Sequence, residues 1–143
     1  MVESFRMDYG SALGELRRRI REPAPSRIQL LFGPRQVGKT TLLLELAREL
    51  APRAIYAAAD GPEAALPGFW EGLWARAAQK RPAVLLPDEI QHVHDWPARI
   101  KGDWDRLRRE RRPVHVVATG SSVCKRHEAP IRGRRAARGA AAS

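Results

Sequence analysis

The run Gly33-Pro34-Arg35-Gln36-Val37-Gly38-Lys39-Thr40 constrains the chain more than any other feature. It satisfies a phosphate-loop pattern, in which glycines free backbone N–H groups to wrap a string of phosphates, and it works only between a strand and a helix. Both flanks are present. Ile28 to Phe32 is a short apolar run closed by Gly33 and Pro34, and Thr40 to Leu50 carries leucines at 42, 43, 46 and 50, at helical spacing. From average Gly, Lys and Ser/Thr usage the pattern arises by chance in on the order of one chain in a few hundred of this length. In it, the segment from Gly33 through Pro34, Arg35, Gln36 and Val37 to Gly38 cradles phosphates. Lys39 reaches the β- and γ-phosphates, the Thr40 hydroxyl coordinates Mg²⁺, and Thr41 adds a contact to the α-phosphate.

The remaining elements extend that unit. Ser11 to Arg21 sets Leu13, Leu16 and Ile20 at helical spacing among arginines and stops before Pro23. Pro52 ends the helix after the loop, and Ala54 to Ala58 is a weakly patterned strand. Phe69, Trp70, Leu73, Trp74 and Ala77 predict a helix to about Lys80, with the two tryptophans as core rather than base-stacking residues. Ala83 to Leu86 and Val114 to Ala118 read as strands, with a helix from Trp96 to Arg109 between them. Strands alternating with helices imply a parallel sheet with right-handed crossovers, an α/β sandwich of three layers. One core over residues 1–131 is expected, including an N-terminal helix and linker over 1–26. A solvated Arg/Ala/Gly tail over 132–143 follows it.

At 143 residues there is room for one substantial core. A single cysteine, Cys124, and the lack of a basic start followed by a long apolar run fit a cytoplasmic protein. No apolar stretch approaches the roughly 18 residues of a membrane-spanning helix. Of the net charge of +10, most lies in residues 101–143, with 12 basic against 4 acidic side chains. Such a C-terminal block can attract nucleic acid, and a solvated chain end has the same composition.

Chemistry gathers where strands end. Asp88 and Glu89 follow the third apolar run, where a carboxylate faces the phosphates: Asp88 to hold Mg²⁺, Glu89 to polarise an attacking water. A solvated acidic turn has the same appearance. Pro87, which cannot donate to a sheet ladder, is expected to distort this strand end. After the fourth strand, Thr119 or Ser121 could touch the γ-phosphate or the water, or be a turn hydroxyl. His92, His94 and Asp95, or Cys124 with His127, complete no metal-ligand set.

Taken together, GPRQVGKTT at 33–41, DEIQ at 88–91 with Trp96 and Lys101 after it, Gly120 to Ser122, and the pair Gly133-Arg134 resemble a prokaryotic AAA-like ATPase family. The resemblance spans roughly residues 1–134. It implies a three-layer P-loop NTPase sandwich of the additional-strand, catalytic-glutamate type, with ATP and Mg²⁺ as cofactors. It also implies Asp88 as metal residue, Glu89 as catalytic residue, Ser121 as sensor and Arg134 as arginine finger or sensor arginine. Relatives continue into a further strand and a C-terminal domain, and the tail after Arg134 does not resemble that strand. The chain is therefore expected to lack the last strand and to leave the phosphate-loop strand near a sheet edge. A homo-oligomer, and nucleic acid held by the basic C-terminal segment, stand as partners. Beside ATP hydrolysis stands a second reading, a nucleotide- or nucleic-acid-binding remnant without turnover. A third, a small-molecule kinase, lacks a lid-like arginine segment between the second and third strands.

Overall fold

The computed structural model describes residues 2–4, 9–22, 27–33, 38–80 and 82–121, and a parallel sheet is its centre. The strands are β1 (Val2–Ser4), β2 (Ile28–Gly33), β3 (Ala54–Ala58), β4 (Ala83–Asp88) and β5 (Val114–Ser121). The helices are α1 (Tyr9–Ile20), α2 (Lys39–Leu50), α3 (Phe69–Ala78) and α4 (Trp96–Arg109), with 3₁₀ turns at Pro62–Ala65 and Ile90–His92. The sheet runs β1-β2-β5-β4-β3, each neighbouring pair parallel. The chain steps one way along the sheet from β1 to β3, then back through β4 to β5. Right-handed crossovers therefore send α1 and α2 to one face and α3 and α4 to the other.

The strands alternate between two cores although both faces are covered. Ile28 and Leu30, Ala83 and Leu85, and Val114, Val116 and Ala118 join the core under α3 and α4, which also holds Trp70, Trp74 and Trp104. Leu31, Val84, Leu86 and Val117 point the other way, against Leu16 of α1 and Leu43 and Leu46 of α2. On α4 the buried positions Trp96, Ile100, Trp104 and Leu107 form one helical stripe. Trp70 Nε1 donates to Asp103 Oδ2 at 2.7 Å, joining α3 to α4, and Arg17 pairs with Glu49 to join α1 to α2.

The sequence pattern carries no sign of β1. It pairs Val2–Ser4 with Ile28–Leu30, so the phosphate-loop strand β2 lies one place in from the edge, between β1 and β5. The expected missing strand and the tail fall within 122–143, outside the described residues.

Pro87 sits inside β4, in register with Ala57, and the strand continues through Asp88. Parity explains its tolerance. Val84 N–H donates to Arg53 O and Asp88 O accepts from Ala59 N–H, so even-numbered residues of β4 point their amides at β3 and odd-numbered ones at β5. The N–H that Pro87 lacks would face β5, and the β4–β5 ladder has already ended at Leu85↔Val116. β5 continues beside β2 as far as Gly33↔Ser121. The expected distortion is thus an early parting of β4 from β5.

Candidate functional site

The strand ends converge where β2 and β5 stay together and β4 leaves them. In doubly wound sheets this carboxyl edge, where successive connections leave for opposite faces, is where ligands bind. Gly33 closes β2, and Gly38 enters α2 with φ of 81° and ψ of 23°, a left-handed conformation that glycine adopts without strain. Lys39, 7% exposed at the first position of α2, folds back so that Nζ donates to Gly33 O at 2.8 Å. An ammonium is therefore held against the end of β2, at the electropositive end of a helix. Thr40 and Thr41 follow on the exposed side of the first turn. Pro34, Arg35, Gln36 and Val37 lie outside the described residues, as do Arg134, Gly133, Cys124 and His127.

Asp88 ends β4 and is 2% exposed. Tyr56, one strand away on β3, donates from its hydroxyl to Asp88 Oδ2 at 2.7 Å, and the Thr119 hydroxyl donates to Oδ1. Burial, then the bond to Asp88, pushes the Tyr56 phenol well above its ordinary range, so it stays a donor. Thr119 Oγ1 also accepts the Glu89 N–H at 3.0 Å. With the ladder gone, this one side chain on β5 holds Asp88 at the end of β4 and the backbone of Glu89 just after it.

Glu89 adopts φ of 57° and ψ of 51°, left-handed for a residue with a side chain, at a cost of about 1–2 kcal/mol. The turn swings its carboxylate toward β5. There Ser121 Oγ donates to Oε1 at 3.1 Å and Gln91 Nε2 donates to the same oxygen at 2.6 Å. Gln91 Oε1 in turn accepts the Ser121 N–H at 3.3 Å. Gly120 is required between them: a Cβ there would meet the Phe32 ring at 2.6 Å, and that ring stacks on Trp96 at 5.6 Å.

The residues singled out in the sequence therefore meet in part. Gly33, Gly38 and Lys39 form one side, Asp88, Glu89 and Ser121 the other, and the β2–β5 register sets Gly33 beside Ser121. Thr119 and Ser121 are both engaged, Thr119 with Asp88 and Ser121 with Glu89. Tyr56 and Gln91 were given no role by sequence reasoning. Nothing in an alanine-rich strand marks Tyr56, whereas Gln91, two residues past the acidic pair, carried a readable signal. His92 and His94 are exposed, no cluster of three or more His, Cys, Asp and Glu side chains suited to a metal ion is found among the described residues, and Trp70 and Trp74 are core.

A family model described as an AAA domain matches residues 25–137. Among solved structures, the chain is similar to the crystal structure of Bacteroides Pif1 bound to ssDNA, with a TM-score of 0.50 and 20% identity. The match covers 81% of this chain and 32% of that one, so the chain spans about a third of the Pif1 structure. No curated protein matches. The fold is that of a P-loop nucleotide-binding core, and no helix among the described residues is long and apolar enough to cross a membrane.

Proposed function

The chain belongs to the AAA-domain family of P-loop proteins, and on that footing we propose that it binds ATP with Mg²⁺ and hydrolyses the β–γ bond. The observation that carries this reading is the buried carboxylate pair at the end of β4, across from the Lys39 ammonium. The hydrogen bonds that Asp88 and Glu89 accept come from hydroxyl and amide groups. Two adjacent carboxylates, 2% and 8% exposed, are costly to bury without a cation, and a divalent ion is the partner their oxygens fit. The residues therefore suit the group.

Asp88, with Thr40, would hold the metal, while Lys39 and the loop amides would take the phosphates. Bound Mg²⁺ would supply charge neutralisation of the phosphate oxygens. Glu89, aimed by Ser121, Gln91 and its own left-handed backbone, would accept a proton from the attacking water. Ser121 would act as the sensor that links Glu89 to the phosphate loop through β2. Arg134 is assigned as finger or sensor arginine on resemblance alone. Partners beyond nucleotide are proposals too: a homo-oligomer, and nucleic acid on the basic C-terminal segment, the similar Pif1 structure being bound to ssDNA.

Steady-state phosphate release, with a nucleotide titration in parallel, decides the matter. Lys39→Ala is expected to lose both binding and turnover. Glu89→Gln keeps binding within a few-fold and loses about 10²–10⁴ in rate, the range for a lost general base. Binding without turnover in the unmodified chain, and no effect of Glu89→Gln, would leave the nucleotide-holding remnant instead.

A further inference from the structure

A parallel sheet puts every helix-to-strand connection on one edge, opposite the nucleotide site, and here that edge is basic. The connections carry Arg21, Arg27, Arg53, Lys80, Arg111 and Arg112 against Glu22 and Glu110. On the opposite edge, connections 59–68 and 89–95 carry Asp60, Glu63, Glu89 and Asp95 without lysine or arginine, and the sequence of the other two, 5–8 and 34–38, adds Arg6, Asp8 and Arg35, so the acidic excess there remains. Arginines in last helical turns, such as Arg108 and Arg109, complement the helix dipole. Arg27 and Arg53 stand directly before strands, whose sheet has little net dipole, so that explanation does not cover them.

These side chains lie along one edge of the sheet, on both sides of it. Arg17, Arg21 and Arg53 line a groove of about 500 Å³ between the ends of α1 and α2, with Glu49 on its wall. Ile20 carries this groove into a smaller hollow lined by Arg19, which is paired with Glu15, and by Arg27, His115 and Glu22. On the far side of the sheet, Arg112 donates to Ala78 O at 3.0 Å, next to Lys80. Among the described residues, Arg21, Arg53, Lys80, Arg109 and Arg111 form no ion pair. Among the described residues, the large exposed apolar side chains are Leu44, mid-helix on α2, and Leu66, among the strand-to-helix connections, so none of them gives this edge an apolar anchor for a membrane.

We propose that this edge of the sheet is a docking face for the phosphate backbone of a nucleic acid, separate from the nucleotide site. Neither ATP turnover nor the C-terminal tail is needed for it. The test is fluorescence anisotropy of the full chain with a labelled 20-nucleotide single strand and the matching duplex, at 50 to 200 mM KCl. Four or so phosphate contacts predict binding roughly a hundredfold weaker at the higher salt. Replacing Arg53, Arg109 and Arg111 together by Gln should weaken binding at least about tenfold and lower the salt slope by about 2–3. Replacing Arg132, Arg134, Arg135 and Arg138 by Gln should leave that slope contribution in place. Circular dichroism checks the triple variant, and if it unfolds, exposed Arg111→Gln alone should lower the slope by about 1. No binding by the unmodified chain overturns the proposal, as does full binding by the folded triple variant or by Arg111→Gln. Preference for phosphatidylserine vesicles over DNA overturns it in favour of a membrane surface.

Discussion

Thr119 is fully buried and serves two groups, donating to Asp88 and accepting from the Glu89 backbone. Thr119→Val keeps the shape and removes both bonds, leaving a buried carboxylate oxygen and a buried N–H short of partners. The expected loss is about 2–4 kcal/mol in urea unfolding, from two groups at roughly 1–3 each with partial relaxation. An unchanged midpoint would mean that water or a shifted Ser121 takes over. The glycine and lysine spacing of the phosphate loop, and the acidic pair after an apolar run, were legible in the sequence because each is a local pattern. Tyr56 was not, since its role depends on the β3–β4 register, which brings residues 32 apart into contact. The choice between Thr119 and Ser121 stayed open for the same reason: both share a strand face, and only the parting of β4 from β5 gives them different partners.

Among elements, β2 and β5 pack most closely where Phe32 lies over Gly120. Gly120→Ala forces the ring away from Trp96 and is expected to cost about 1–3 kcal/mol, read as a lowered melting temperature. Phe32→Leu in the same chain should recover part of it, whereas a silent Gly120→Ala would show that the ring moves freely. Helix and strand positions were largely readable, α4 to the residue and β3 likewise, because tryptophan and leucine stripes and proline stops carry them. β1 was not: three residues hold too little pattern, and its pairing with β2 is decided by the fold. Pro87 was read as unable to donate to a ladder; it lies in the β3–β4 ladder all the same, and the side on which its missing N–H falls, toward β5, could not be known from the sequence.

At the scale of the molecule, stability should respond to acid in two windows. Burial holds His115 below its ordinary value of 6.5, partly opposed by its bond to Glu22 O, so the unfolded chain binds the proton more readily. Stability is then complete above about pH 6.5 and falls as pH drops through the folded value. Glu15, beside Arg18 and Arg19, is lowered to about 2, so its contribution is lost between 4.5 and that value. Unfolding free energies at pH 7.5 and 5.5 should differ less in His115→Gln than in the unmodified chain, and equal differences would remove His115 from the account. The basic excess read near the C-terminus is only part of the charge pattern, since folding also sorts charge between the two ends of the sheet. The parting of β4 from β5 after Leu85 has a mechanical meaning as well. The plate bearing the phosphate loop and the plate bearing the acidic pair are riveted at their base and merely laced at their rim by Thr119, Ser121 and Gln91. Strain between the plates would fall on that lacing first, so whatever draws loop and carboxylates together needs to tighten three side chains, not shear a sheet.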